Sequence, residues 1–198
     1  MIASIQHKWD KIYQGLEPDC LLPIEVLIKN DFLLPATGNA LDLASGLGAN
    51  AIFLANKGLA VTAYDISIVA INKLNAYAAQ QGLDINACHE NIAPKSFSEC
   101  AFDVIVVSRF LDRTLSDAII GALKPDGLLF YQTFTREKIT PTPPNNLDYL
   151  LIENELLRQF SSLRVILYRE NALVGDLSQG LRNEAQFVGQ KQRQLVEQ

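Results

Sequence analysis

Residues 41–51 constrain the fold most strongly, because they join an apolar, strand-like segment to a glycine-containing turn and then to a helix-like segment. The turn contains Gly46 and Gly48, and glycine adopts the left-handed conformations of a tight turn without steric cost. The first amide groups of the following helix have no partner within that helix and point out of its N-terminus. This arrangement predicts a site for a small polar ligand between a strand and a helix.

A second strand-like segment, residues 59–65, ends in Asp65, nineteen positions after Gly46. A carboxylate accepts two hydrogen bonds at once, so an acid at this spacing suits the vicinal hydroxyls of a ribose. The alternative is that Asp65 caps the helix that begins near Ser67, and the two roles are compatible. We therefore expect a nucleotide-like cofactor whose ribose binds Asp65.

Two cofactor classes fit these residues. Gly46, Gly48 and Ala51 satisfy the G-x-G-x-x-A pattern of a dinucleotide site, so an NAD-dependent reductase is one hypothesis. Asp42 argues against it, because a carboxylate four residues before the first glycine would repel a pyrophosphate. S-adenosylmethionine has no phosphate and carries an ammonium and a sulfonium, which the same carboxylate attracts. We expect Asp42 to contact the cofactor, with stabilisation of the helix start as the alternative.

This run resembles the first motif of class I S-adenosylmethionine-dependent methyltransferases, D-x-G-x-G-x-G, with Ala44 in place of the first glycine. The resemblance implies an α/β, Rossmann-like sheet of seven mostly parallel strands, with helices on both faces and a C-terminal antiparallel hairpin. It also implies an enzyme that uses S-adenosylmethionine, releases S-adenosylhomocysteine and needs no metal. The implied cofactor-binding residues are Tyr13, Asp42, Ala44, Gly46, Gly48, Asp65, Ile66, Asn91, Ile92, Ser108 and Arg109.

Some of these roles come from finer parts of the resemblance. Residues 9–13 resemble the W-D-x-x-Y segment of many small-molecule methyltransferases, which implies that Tyr13 closes over the methionine end of the cofactor. Packing against the domain edge is the alternative for these aromatic side chains. Asn91 aligns with the third-strand residue that accepts the adenine amino hydrogen, and simple turn chemistry is its alternative. Ile66 and Ile92 would then flank the adenine ring.

The sequence does not identify a general base. Arg109 follows the fourth strand and could pair with an anionic substrate, with the carboxylate of the cofactor or with a neighbouring acid. The chain looks similar to small stand-alone enzymes of the tellurite-resistance methyltransferase type, in which Arg182 would be retained before the last strand. Arg109 and Arg182 are therefore the candidate catalytic residues, and the acceptor is a thiol, a chalcogen oxyanion or another small nucleophile.

The departures at Ala44 and Asn91 support a second hypothesis, a module or sensor that binds S-adenosylmethionine without catalysis of its own. Such a module would bind the cofactor and methylate no acceptor. An NAD-dependent reductase is the third hypothesis, although the second βαβαβ half of a dinucleotide fold is not apparent.

Apolar patterning and turn residues predict the order of elements. Strands and helices alternate up to residue 134, which favours parallel pairing with right-handed crossovers. The last two strands have no helix between them, so we expect them to pair as an antiparallel hairpin. The predicted helices are residues 21–34, 49–57, 67–81, 114–123 and 152–160, and the strands after the first are residues 59–65, 84–89, 102–107, 128–134, 163–170 and 183–190, with a turn at 124–127 and a loop over the site at 135–146.

Length and composition favour one domain over residues 1–198. The resemblance implies that residues 1–35 form a helical segment that caps the cofactor site. The net charge is −5, from 17 basic and 22 acidic residues, and no basic cluster is present. This balance disfavours a nucleic-acid partner. No apolar run is long enough to span a membrane and no secretory signal is evident, so we expect a cytoplasmic monomer or homodimer without a membrane partner.

The three cysteines, Cys20, Cys88 and Cys100, are scattered and lack C-x-x-C spacing. They predict neither a zinc site nor a disulfide framework, and we expect buried apolar thiols. His7 and His89 are isolated as well, so metal ligation is not expected.

Overall fold

The computed structural model describes residues 2–193 and forms a sheet of seven strands flanked by helices. The strand order is β3-β2-β1-β4-β5-β7-β6. The strands are β1 (Asn39–Leu43), β2 (Ala60–Asp65), β3 (Ile85–His89), β4 (Phe102–Ser108), β5 (Leu123–Phe134), β6 (Arg164–Arg169) and β7 (Glu184–Gln190). The α-helices are α1 (Ile2–Tyr13), α2 (Glu25–Lys29), α3 (Ala49–Asn56), α4 (Ile68–Gln81), α5 (Ser116–Ala122) and α6 (Glu155–Gln159).

Strand direction places the site. β1 to β5 pair in parallel, whereas β7 is antiparallel to both β5 and β6. β6 therefore runs in the same direction as β5, and its carboxyl end lies at the same edge of the sheet as those of β1 to β5. This arrangement confirms the predicted sheet, including its C-terminal antiparallel hairpin.

Both faces of the sheet are buried, because helices cover each of them. One apolar cluster contains Tyr131 on β5 and Phe187 on β7, and their rings enclose that of Phe160 at centroid distances of 5.6 and 5.7 Å. The other cluster, on the opposite face, joins β1 and β4 to α2, α3 and α4. Because β1 and β4 are central strands, their apolar side chains are buried on both faces, as expected of parallel strands.

The prediction of one helix over residues 21–34 is wrong. The segment contains the short α2 between the 3₁₀ turns Pro18–Cys20 and Asp31–Leu33. Pro23 disfavours a helical conformation at the residue before it. The N–H of Ile24 donates to Asn50 Oδ1 at 3.0 Å, so the chain is held by α3 at this point. The apolar periodicity reflects packing of Ile24, Val26 and Leu27 against the sheet and α3, rather than one long helix.

Two other helices begin later than expected. A 3₁₀ turn, Arg113–Leu115, precedes α5, and α6 begins only at Glu155. The predicted turn at residues 124–127 lies within β5, where Asp126 is left-handed (φ 67°) and the pairing register with β4 shifts. The chain bends there without leaving the sheet.

The cysteines also differ from expectation. Cys20 and Cys100 are exposed and Cys88 is partly exposed, so none of the three is a buried core thiol. Cys20 lies in a 3₁₀ turn and Cys100 in a loop before β4, where the chain runs over the surface.

Candidate active site

The turn between β1 and α3 has left-handed backbone conformations at every second residue. Ala44, Gly46 and Gly48 have φ values of 56°, 54° and 82°. The turn is closed by a hydrogen bond from the N–H of Gly48 to the carbonyl of Ser45 at 2.9 Å. Ala44 thus takes the conformation that the missing first glycine of the motif would take, at a steric cost of about 1–2 kcal/mol.

Asp42 is fully buried beneath this turn. Its Oδ2 accepts a hydrogen bond from the N–H of Ala51 at 3.0 Å, and its Oδ1 accepts one from Asn50 Nδ2 at 3.3 Å. Burial raises the pKa of Asp42 from 3.8 to about 7. These contacts support the alternative role of Asp42, which is stabilisation of the first turn of α3. A contact with the cofactor stays a prediction.

Asp65, at the end of β2, ties the turn to α4. Its Oδ2 accepts from the N–H of Gly46 and its Oδ1 from the N–H of Ser67, both at 2.8 Å. Burial raises the pKa of Asp65. The hydroxyl of Ser67 accepts from the N–H of Ala70 at 3.2 Å, which confirms Ser67 as the N-cap of α4. Each oxygen of Asp65 keeps a further lone pair for another donor.

Helix α1 lies across the turn. Asp10 Oδ1 accepts hydrogen bonds from Ser67 Oγ at 2.6 Å and from the N–H of Val69 at 3.3 Å, at the N-terminus of α4. A Cβ added to Gly46 would be only 2.6 Å from Tyr13 Oη, so the Tyr13 hydroxyl lies directly over this glycine. Burial raises the pKa of Tyr13, and the nearby carboxylates raise it further. The phenol therefore remains a neutral hydrogen-bond donor that faces the turn.

The chemistry of this cluster selects between cofactors. Two buried carboxylates, Asp42 and Asp65, lie near Tyr13 and the glycine turn, and each raises the pKa of the phenol. Within residues 2–193, neither carboxylate accepts a hydrogen bond from a lysine or arginine side chain. Negative charge of this kind attracts an ammonium or a sulfonium and repels a pyrophosphate. The residues therefore fit S-adenosylmethionine better than a dinucleotide.

The segments that follow β2 and β3 bring a second group of predicted residues to the same edge. Ile66 and Ile92 are both partly buried, and Ile92 packs against the apolar cluster of Tyr131. The carboxylate of Glu90 accepts a hydrogen bond from Ser96 Oγ at 2.7 Å and is thereby engaged. Asn91 is exposed, and its side-chain amide makes no hydrogen bond to the described part of the chain. Its carbonyl is available to a ligand.

Ser108 ends β4, and Arg109 follows it. Arg109 is left-handed (φ 50°) and its N–H donates to the carbonyl of Gln132 at 2.8 Å. Its Nε donates to Glu184 Oε1 at 3.1 Å, so the guanidinium leans toward β7. Sequence reasoning missed Glu184, because the first residue of a last strand carries no motif. The only available signal was its position two residues after Arg182.

Arg182 lies in the long connection between β6 and β7. Its guanidinium donates to five backbone carbonyls at 2.7 to 3.1 Å. A guanidinium has five N–H groups, so these bonds use its whole donor capacity. The contacts favour a structural role for Arg182 in holding this connection. The carbonyls belong to Asn171, Ala172, Val174, Asp176 and Gln179.

A second arginine, Arg113, holds the loop after β5, and sequence reasoning missed it. Arg113 donates to both oxygens of Glu155, from Nε at 2.6 Å and from Nη2 at 3.1 Å, and also to the carbonyls of Asp148 and Leu150. Burial would raise the pKa of Glu155, but the bonds from Arg113 outweigh it and hold that pKa below its usual value. The loop after β5 and the connection between β6 and β7 are thus each held by an arginine.

Within residues 2–193, no group of three or more His, Cys, Asp or Glu side chains could hold a metal ion. The longest helices of that range are also too short and too polar to cross a membrane.

Comparisons with known proteins agree with this geometry. The sequence model of a family described as "Methyltransferase domain" matches residues 40–127, which contain the glycine turn, Asp65 and β4. Among curated proteins, no sequence matched the chain.

Several crystal structures share the fold. TehB from Haemophilus influenzae is 21% identical with a TM-score of 0.68, over 94% of this chain and 67% of that one. An S-adenosylmethionine-dependent methyltransferase from Methanosarcina mazei is 20% identical with a TM-score of 0.64, over 88% and 100% of the two chains. Geranyl diphosphate C-methyltransferase from Streptomyces coelicolor A3(2), solved with Mg²⁺, geranyl diphosphate and S-adenosyl-L-homocysteine, is 12% identical with a TM-score of 0.68, over 96% and 98%.

Proposed function

We propose that this chain, a class I S-adenosylmethionine-dependent methyltransferase by its domain and its fold, methylates a small-molecule acceptor. The observation that carries the proposal is the glycine turn between Asp42 and Asp65, covered by Tyr13. The cluster is negatively charged and holds a neutral phenol donor, which matches the ammonium, sulfonium and carboxylate of an amino-acid cofactor.

Each residue of this cluster has a proposed role toward the cofactor. Asp65 would accept the ribose hydroxyls through its remaining lone pairs, and the exposed Asn91 carbonyl would accept the adenine amino group. Ile66 and Ile92 would flank the base. Tyr13 would donate its hydroxyl hydrogen to the methionine carboxylate. Asp42 would act through the turn that it supports.

The cofactor supplies an activated methyl group on a sulfonium, and transfer leaves S-adenosylhomocysteine. The chain therefore has to hold the acceptor within near-attack distance and keep water away, an effect that contributes several kcal/mol. Arg113 and Arg182 support this role, because their hydrogen bonds fix two connections, after β5 and between β6 and β7, at the edge where the acceptor would approach. A general base is required only if the acceptor is protonated at neutral pH.

Charge supports a small acceptor over a nucleic acid. The chain has a net charge of −5 and lacks a basic cluster that could neutralise several phosphates. The structural neighbour from Streptomyces coelicolor A3(2) binds geranyl diphosphate, a small molecule. A tellurite-resistance type of substrate, a cytoplasmic location and a monomeric or homodimeric state stay predictions.

The test is the release of S-adenosylhomocysteine from S-adenosylmethionine in the presence of four classes of small acceptor: thiols, catechols, amines and chalcogen oxyanions. RNA and an unfolded protein serve as macromolecular acceptors in parallel. We expect turnover with at least one small class and none with the macromolecules. Turnover with RNA or protein alone would overturn the small-molecule proposal. Cofactor binding without turnover of any acceptor would favour the non-catalytic module instead.

A further inference from the structure

Arg109 is held on the half of the site that faces away from the cofactor turn. Its side chain bonds Glu184 on β7 at 3.1 Å, and its backbone bonds Gln132 on β5 at 2.8 Å. The glycine turn follows β1, which lies on the other side of β4. The guanidinium therefore leans toward β5 and β7, where an acceptor can approach without displacing the cofactor.

Glu184 is itself fixed by a buried polar network. Its side chain is 12% exposed, and its Oε2 accepts a hydrogen bond from Gln132 Nε2. Gln132 is 3% exposed, and its Oε1 accepts from the N–H of Val26 at 3.0 Å and from Gln186 Nε2 at 3.1 Å. A buried network of this kind holds its members in one arrangement. The carboxylate that orients Arg109 is thus anchored to α2, β5 and β7.

The rest of the Arg109 guanidinium is free. Its side chain is 55% exposed, and its Nη groups make no hydrogen bond or ion pair with residues 2–193. A guanidinium held through Nε still presents its two Nη groups, and such a planar edge binds both oxygens of a carboxylate. The left-handed backbone of Arg109 is unfavourable in a non-glycine residue. The arginine is placed here against that cost, which favours a functional role.

We propose that Arg109 binds an anionic group, a carboxylate or its equivalent, on the methyl acceptor, and that Glu184 is the positioning residue for it. This inference rests on the methyl-transfer function proposed above. Because the carboxylate of Glu184 offsets the charge of Arg109, binding of the anion depends more on the geometry of the two hydrogen bonds from the Nη groups than on net charge. A lysine at this position has the charge without the planar fork, so it does not replace the arginine.

The experiment compares acids with their uncharged esters on protein saturated with S-adenosylhomocysteine. The probes are 3-mercaptopropionate, 4-hydroxybenzoate and 4-aminobenzoate, each against its methyl ester, with binding followed by ligand-observed NMR. We expect the acid of at least one pair to bind about tenfold or more tightly than its ester, as a charge-assisted hydrogen-bonded pair requires. Arg109→Ala and Arg109→Lys should both lose this preference, and Glu184→Gln should reduce it. Arg164→Ala, which removes an exposed arginine at the opposite edge of the sheet, should keep it.

The outcomes separate the two proposals. Equal binding of acid and ester in every pair, or a preference that survives in Arg109→Ala, overturns the anion site and leaves the methyltransferase function standing. Failure of the unmutated protein to bind S-adenosylhomocysteine overturns the function itself. If Arg109→Ala instead weakens S-adenosylhomocysteine binding about tenfold, the guanidinium belongs to the cofactor carboxylate and the proposed acceptor role is wrong.

Discussion

At the scale of single residues, Ala44 is a non-glycine residue in a position built for glycine. Its φ of 56° lies in the left-handed region, between β1 and Gly46. We predict that Ala44→Gly raises the free energy of unfolding by about 1 kcal/mol, because the left-handed penalty exceeds the added freedom of the unfolded chain. Urea denaturation measures the change. Ala55→Gly, in right-handed α3, is the control and should lower stability by a similar amount. Destabilisation by both substitutions would contradict this account of the turn.

Asp42 makes stability depend on pH. Its pKa rises from 3.8 to about 7 on folding, so between these values the folded protein holds a proton that the unfolded chain has released. The free energy contributed by Asp42 therefore falls as pH rises from about 4 to about 7, and changes no further above that range. We predict that unfolding midpoints measured from pH 5 to 8 decline less steeply in Asp42→Asn than in the unmutated protein. Asp84→Asn, at an exposed position, should keep the original slope. Equal slopes in all three proteins would show that Asp42 does not titrate in this range.

The prediction for a single residue was confirmed where its residue type has one usual role at that position. Ser67 was predicted as a cap and is one. The contacts of Asp42 with the first turn of α3 match the alternative considered for it, and its contact with the cofactor stays a prediction. A buried aspartate has the same sequence pattern in either role. Glu184 was missed, because its importance comes from Arg109, 75 positions away. Contacts of that separation cannot be read from local pattern.

At the scale of elements, two glycines with open space around them should respond in opposite ways to alanine. Neither an added Cβ on Gly121 nor one on Gly82 would meet an atom within 4 Å. Gly121 lies in α5, so Gly121→Ala should stabilise the protein by about 0.5–1 kcal/mol. Gly82 is the left-handed C-cap of α4 (φ 64°), so Gly82→Ala should destabilise it by about 1 kcal/mol. Thermal unfolding of both variants measures the pair, and a shared sign would contradict the role given to backbone conformation.

Element prediction from the sequence succeeded for the long helix α4 and for the strands other than β5, whose first residues were predicted as a turn. It failed over residues 21–34, where Pro23 and the side chain of Asn50 divide a periodic apolar segment into short turns. A periodic pattern records which side chains are buried, and short 3₁₀ turns bury them as well as a helix does.

At the scale of the whole molecule, α1 contributes to the site more than to the core. None of its residues is buried, whereas Asp10 accepts hydrogen bonds at the N-terminus of α4 and Tyr13 lies over the glycine turn. We predict that deletion of residues 1–14 leaves a cooperative thermal transition within a few degrees of the original, whereas S-adenosylhomocysteine no longer raises the midpoint. Loss of the cooperative transition would show that α1 belongs to the core instead. The intact chain at the same ligand concentration is the control.

The fold as a whole followed from the sequence because alternation of strands and helices permits few topologies. The parallel pairing of β1 to β5 and the final antiparallel pair agree with that expectation. The long loops beside the site did not follow, since they are held by Arg113 and Arg182, whose partners are backbone carbonyls of any sequence and the carboxylate of Glu155.

The central claim is that the glycine turn binds S-adenosylmethionine and not a dinucleotide. Calorimetric titration with S-adenosylhomocysteine and with NADH tests it in the unmutated protein, in Gly46→Ala and in Gly15→Ala. A Cβ at Gly46 would meet Tyr13 Oη at 2.6 Å in a left-handed backbone, whereas one at Gly15 meets nothing within 4 Å. We predict saturable binding of S-adenosylhomocysteine alone, unchanged in Gly15→Ala and weakened about tenfold or more in Gly46→Ala. Binding of NADH, or no binding of S-adenosylhomocysteine, would contradict the account.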